Sequence, residues 1–287
     1  MKSDYILKHW LKTARWQARR GVAALRWGPV NLRRAPVVLG NAMPKSGSHL
    51  IIQALQGLTG LGPFVNPGFP PVNRGEDNSK LSEIEILANI RRMRPGDIGY
   101  GYIGAEEPYI SALTQLGRAT VFVYRDPRDM IVSHIFYATQ MHTGHWMHNY
   151  YTQVLHTMEE RINAAIQGVS EPGSELTPVK ARYEGYLGWL EHSEVLSLRF
   201  EDLILDREAA FGSLLDYLEG RGFVPRLPRT QAIEILKDAI VPKKSGTFRK
   251  GKPGNWAEHF SDANKALFKE CTGDLLVRLG YEQNGDW

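Results

Sequence analysis

Residues 36–50 limit the folds open to this chain more than any other stretch. They read Pro-Val-Val-Leu-Gly-Asn-Ala-Met-Pro-Lys-Ser-Gly-Ser-His-Leu. Val37, Val38 and Leu39 form an uninterrupted apolar run, as in a parallel strand buried on both faces. Gly40 to Gly47 turn the chain, and Leu50, Ile51, Ile52, Ala54 and Leu55 begin a helical apolar pattern. A strand, a tight loop and a helix N-terminus together make an anion site. The first helical N–H groups lack intrahelical acceptors, and the helix dipole adds partial positive charge. Lys45 brings a full charge into the loop, Ser46 and Ser48 bring hydroxyls, and Gly47 permits close backbone approach. This is not a Walker A loop, which ends in Gly-Lys-Ser/Thr; here Lys45 precedes Gly47.

Two further segments carry chemistry. Ala119 to Tyr124 predicts a buried strand that runs into Arg125-Asp126-Pro127-Arg128-Asp129, with Asp126 a natural N-cap and Pro127 a natural first helical residue. Arg125 then stands at a strand's carboxyl end, where α/β folds place ligands. With Ser133, two turns into the helix, it can grip one phosphate as a bidentate fork. The alternative is a structural Arg125–Asp126 ion pair. Near the C-terminus, Thr247 to Trp256 reads Thr-Phe-Arg-Lys-Gly-Lys-Pro-Gly-Asn-Trp. Its cations and glycines suit either a loop closing over a phosphate or a solvated basic surface loop.

These segments, in this order, resemble PAPS-dependent sulfotransferases of the cytosolic type (PAPS, 3′-phosphoadenosine 5′-phosphosulfate). Pro44 to Ser48 resembles the phosphosulfate loop, and Arg125 with Ser133 resembles the 3′-phosphate segment. Residues 249–256 resemble the C-terminal Arg-Lys-Gly-x-x-Gly-Asp-Trp signature, with Asn255 in place of Asp. Phe200-Glu201-Asp202, after a strand over Glu194–Arg199, resembles the family's segment beside the adenine, with Phe200 where Tyr is usual. The resemblance implies a P-loop-like three-layer α/β fold with a central parallel sheet flanked by helices. It implies in-line sulfuryl transfer from PAPS to an acceptor hydroxyl or amine, leaving PAP (3′-phosphoadenosine 5′-phosphate). Lys45 would stabilise the leaving group, and Ser46, Gly47, Ser48 and His49 would hold the 5′-phosphate. Arg125, Ser133, Arg249, Lys250 and Gly251 would hold the 3′-phosphate, with Phe200 and Phe248 among the cofactor-binding residues. Ser133 counts with the catalytic residues as well. No metal is required.

The family's usual general base is missing, because no His lies between His49 and His134. Tyr102 is nearest to the expected place, but an ordinary tyrosine is a poor base at neutral pH. Glu106 ranks first, then Glu107 and Tyr102; the two glutamates equally suit a helix N-terminus before Pro108. His142, His145 and His148 cluster beside Trp146 without an acidic or cysteine ligand. With Tyr137, Met141, Tyr150 and Tyr151 they suit an acceptor cleft or the core. Two other activities compete. A P-loop kinase would need Gly-Lys-Ser/Thr, and an inactive nucleotide-binding docking protein would need neither Lys45 nor the basic loop.

Residues 4–27 predict a basic amphipathic helix, with Ile6, Leu7, Trp10, Leu11, Ala14 and Ala18 at helical spacing. Residues 1–34 carry nine Lys/Arg and one Asp, net +8. The whole chain is +4, so residues 35–287 sum to −4. The basic balance therefore belongs to an N-terminal extension and gives no argument for a nucleic-acid partner. The extension suits either an anionic membrane surface or packing on a single domain over residues 35–287. A lone Cys271 fits a cytoplasmic, reducing compartment, and no apolar run reaches the length of a membrane span or a signal-peptide core. Small-molecule, lipid and glycan acceptors stay open, as does the oligomeric state.

Further helices are expected at 81–93, 108–116, 146–168, 179–193, 206–219, 229–239 and 262–279, and a strand at 98–103. Residues 60–80, rich in Gly, Pro and Asn, suit an irregular flap.

Overall fold

The computed structural model describes residues 2–241, 243 and 251–287, with side chains from Trp10 onward. Two compact units form, one from the described residues of 1–124 and 188–245, the other from those of 125–187 and 246–287.

The first unit opens with α1 (Lys2–Trp27) and α2 (Pro29–Arg34), then β1 (Val37–Ala42) and α3 (Ser48–Leu61). After the irregular stretch come α4 (Glu83–Arg92), β2 (Ile98–Gly101), α5 (Tyr109–Thr114) and β3 (Arg118–Tyr124). The four-stranded sheet runs β2-β1-β3-β4, where β4 is Val195–Arg199, and every pairing is parallel. Gly40 of β1 faces Tyr100 on one side and Val121 on the other. Parallel neighbours require crossover helices, which explains the alternation of strand and helix in the chain. Strand order reverses between β1 and β3, and ligands of such sheets bind beyond the carboxyl ends at that point. The loop 43–47 leaves β1 there.

One face of the sheet packs on α3, α10 (Arg207–Glu219) and α11 (Arg229–Asp238), through Ile51, Leu55, Leu58, Phe211, Leu215 and Leu236. On the opposite face Thr120 Oγ1 donates to the Leu113 carbonyl of α5. A short α9 (Asp202–Leu205) follows β4.

The second unit holds α6 (Pro127–Phe136), α7 (Met158–Gln167), α8 (Val179–Leu187), α12 (Asp262–Thr272) and α13 (Leu275–Arg278). Tyr151, Tyr183 and Phe268 are fully buried.

Several expected boundaries move. The first strand does not end at Leu39 but runs on through Ala42, because Asn41 is satisfied inside the core: its side chain exchanges two hydrogen bonds of 2.9 Å with the Ile103 backbone. The second strand stops at Gly101 rather than Ile103 for the same reason. The helix expected over 146–168 is broken into a π turn at Tyr150–Val154 and α7, whose N-cap Thr157 forms a capping box with Glu160. The helix expected over 262–279 is interrupted at Gly273, which has φ 61° and closes α12. Ser82 caps α4, reciprocally with Glu85.

Candidate active site

The loop after β1 is conformationally costly. Lys45 has φ 69°, in the left-handed region that side chains other than glycine adopt at a cost of about 1–2 kcal/mol. Gly47 follows in the same region, with φ 91° and ψ 24°. A Cβ at Gly47 would lie 2.4 Å from Cδ2 of Phe200, so glycine is required both by conformation and by the Phe200 ring packed against it. Gly47 offers no side chain to cap α3; the Leu50 N–H turns back to the Gly47 carbonyl at 2.9 Å, and the N–H groups of Ser48 and His49 lie at the helix end that suits an anion. Ser46 is fully buried, and its Oγ has no hydrogen-bond partner among the described residues. Leaving such a hydroxyl unpaired costs about 1–3 kcal/mol.

Ser48 is buried and its Oγ accepts from the Tyr102 hydroxyl at 3.1 Å. Tyr102 is itself held. Its N–H donates to Asn73 Oδ1 at 3.2 Å, and Asn73 Nδ2 donates to its carbonyl at 2.8 Å. The next residue, Ile103, is fixed by Asn41 and by Trp189 Nε1, which donates to its carbonyl at 2.8 Å. Asn41, Asn73 and Trp189 were not visible as site residues in the sequence; an Asn inside an otherwise apolar strand was the available signal for the first. His49 stands beside Lys45. Partial burial first, and then the positive charge of Lys45, lower its pKa below the ordinary histidine value. Glu106 and Glu107 are both exposed. The Glu107 carboxylate accepts from Ser111 Oγ at 2.9 Å, in the first turn of α5, as the helix-terminus alternative expects.

The second unit carries the start of α6. Asp126 caps the helix, accepting from the Arg128 N–H at 2.8 Å. The Arg128 guanidinium grips Asp126 through Nε and Nη2, at 3.0 and 2.7 Å, and Glu282 through Nη1 at 2.6 Å. It lies against the rings of Trp256 and Trp287, 3.9 and 4.5 Å from their centroids. Asp129 is buried and accepts from the N–H groups of Gly254 and Trp256, each at 2.8 Å. Arg125 Nη2 approaches Asp129 at 3.3 Å, and the Tyr183 hydroxyl donates to the Arg125 carbonyl at 2.8 Å. The Arg125–Asp126 pair weighed from sequence is thus replaced: Asp126 belongs to Arg128, and Arg125 pairs one helical turn on, with Asp129. Ser133 is half-buried on α6. Gly251 takes φ 59°, while Phe248, Arg249 and Lys250 lie outside the described residues.

The histidine group is engaged with backbone and rings. His145 Nδ1 accepts from the Met147 N–H at 3.1 Å and its ring stacks on Trp146, and His148 Nδ1 donates to the Ala138 carbonyl at 2.8 Å. Among the described residues no group of three or more His, Cys, Asp and Glu gathers as a metal set. Tyr151 is core rather than cleft lining, fully buried, with its phenol pushed up by burial.

A family model described as "Sulfotransferase domain" matches residues 118–280, which include the α6 segment and the C-terminal loop but not the loop after β1. The curated 3-alpha-hydroxysteroid sulfotransferase of Cavia porcellus is 25% identical over 172 residues, 55% of this chain and 55% of that protein. The chain therefore spans about half the length of the curated relative it matches. Among solved structures, a mouse sulfotransferase complexed with PAP has TM-score 0.55 at 15% identity, covering 94% of this chain and 91% of that one. Retinol dehydratase in complex with retinol and PAP has TM-score 0.56 at 14% identity, covering 86% and 84%. The same enzyme with androsterone and PAP has TM-score 0.55 at 14% identity, covering 86% and 83%. These structural likenesses are of fold.

Proposed function

The chain belongs to the sulfotransferase domain family, and from that premise we propose that it transfers a sulfuryl group from PAPS to the hydroxyl of a small apolar alcohol. The observation that carries this reading is the loop after β1. A strained Lys45, a buried Ser46 hydroxyl without a partner among the described residues and an α3 N-terminus with no side-chain cap suit a bound phosphosulfate. The donor set is cationic and neutral, which fits an anion rather than a metal.

PAPS supplies the activated sulfuryl group. The first-turn N–H groups of α3, with the Ser46 and Ser48 hydroxyls, hold its 5′-phosphate. Tyr102 donates to Ser48 and so fixes the hydroxyl's direction. Lys45 stabilises the charge that develops on the leaving oxygen of an in-line displacement, a role commonly worth about 10²–10³ in rate. By resemblance, Arg125, Ser133 and Gly251 take the 3′-phosphate, and Arg249 and Lys250 share that role. Glu106 remains the first choice as base, ahead of Glu107. Residues 35–287 act as one catalytic domain in the cytoplasm, with residues 1–34 as an extension.

The Cavia porcellus relative is named for a hydroxysteroid, and retinol dehydratase is seen with retinol and with androsterone. Hydroxysteroids and retinoid alcohols are therefore the first acceptors to try. The test is PAP release from PAPS with such acceptors, for wild type and Lys45→Gly. Acceptor-dependent release by wild type that Lys45→Gly loses supports the reading; no release with any acceptor contradicts it.

A further inference from the structure

The polarity of α1 is inverted. A terminal helix on a soluble domain ordinarily turns its charges outward and its hydrocarbon inward. Here two cations point inward: Lys12 pairs with Glu76, and Arg20 donates at 2.7 Å to Asp97, a buried carboxylate. Trp16 Nε1 donates to the same carboxylate at 2.9 Å, and Trp16 and Ala23 pack with Leu32 and Val65. The helix is thereby fastened along one side. The opposite side carries Leu11, Ala14, Ala18, Val22 and Leu25 at helical spacing, with Trp10 at its margin. Trp10 is 65%, Val22 64% and Leu25 90% exposed. Arg15 and Arg26, both exposed, border this stripe along one edge.

We propose that this outward face of α1 lies on an anionic lipid surface, with the stripe at the acyl boundary and the arginines at the headgroups. The charge selects the occupant. Residues 1–34 are net +8 while the rest of the chain is −4; with Lys12 and Arg20 paired inward, Arg15 and Arg26 are the exposed cations beside the hydrocarbon stripe. A second copy docking face to face would bring two such cationic segments together, which is unfavourable. Among the described residues no helix is long and apolar enough to cross a membrane, so the helix lies on the surface rather than spanning it. The proposal is independent of the sulfuryl-transfer reading, since it concerns binding alone.

The test is co-sedimentation of the full chain with phosphatidylcholine vesicles, with and without phosphatidylserine, at low and high salt. Wild type should pellet with the anionic vesicles and be released by salt. The pairs Val22→Glu/Leu25→Glu and Arg15→Glu/Arg26→Glu should each weaken binding about tenfold or more. Leu116→Glu, at a fully exposed leucine outside α1, should change nothing. All these side chains are exposed, so a melting scan should find the variants folded. Failure of wild type to pellet, equal binding to neutral vesicles, or undiminished binding by Val22→Glu/Leu25→Glu would each overturn the proposal. So would a dimer in light scattering that the same pair makes monomeric without any vesicle binding.

Discussion

The loop after β1 and the start of α6 both present cations at the end of a parallel strand, yet they are built in opposite ways. In the loop, Lys45 sits in a strained conformation, Ser46 Oγ is buried without a partner among the described residues, and the helix end has no side-chain cap. At α6, Asp126 caps the helix and clamps Arg128, Glu282 and two tryptophans enclose that arginine, and Asp129 ties down Gly254 and Trp256. The loop keeps one buried hydroxyl, Ser46 Oγ, without a hydrogen-bond partner among the described residues. At the α6 start Asp126, Arg128 and Asp129 are partnered by the protein itself, and Asp129 holds the C-terminal Gly254-Asn255-Trp256 segment in place. Similar charge in the sequence therefore ends in different places: Arg128 fastens protein to protein, while Lys45 stands in the loop proposed to take the sulfuryl donor.

The largest expected effect separates the two. Lys45→Gly removes the loop's cation while glycine accepts the positive φ. Sulfuryl transfer should fall about 10²–10³-fold in kcat, with stability changed by less than about 1 kcal/mol. Asp129→Ala should do the reverse. Two part-buried N–H groups lose their acceptor, at a cost of about 1–3 kcal/mol read as a lower Tm, with easier proteolysis after Gly251. A Lys45 variant that melts early, or an Asp129 variant that does not, would collapse the distinction.

Gly47→Ala should cost about 1–3 kcal/mol, since it meets both the positive φ and the Phe200 ring; Gly47→Ala/Phe200→Leu should recover only the steric part. Full recovery in a melting scan would mean that the backbone there is not strained.

The smallest effect is a pH dependence. The His49 pKa is lowered in the folded state, so the folded chain binds that proton more weakly than the unfolded chain. Stability should therefore decline as pH falls through the ordinary histidine value of about 6.5, and level off below the lowered pKa. His49→Gln should lose that part of the acid sensitivity between about pH 8 and about pH 5. Because His49 is partly solvated, the change in Tm should be small; an increase in acid sensitivity would reverse the sign.

The sequence made the loop legible because its signals are local: an apolar run, a glycine and a helical period within a dozen or so positions. The Asp126-Pro127 start of α6 was legible for the same reason. The clasp was not, because Arg128 meets Glu282 and Asp129 meets Gly254 across well over a hundred residues. The end of β1 was missed where Asn41 looks like a loop residue until Ile103 satisfies it. The break before α7 had a local signal, the Thr157 to Glu160 capping box, which the run of apolar and aromatic residues obscured.

The most direct test of the central claim is calorimetric titration of the full chain with PAP, for wild type and Lys45→Gly. The account predicts stoichiometric binding by wild type and an affinity at least about tenfold weaker without the lysine. Equal affinity in the two proteins, or no heat with PAP but binding of Mg²⁺–ATP, would contradict it.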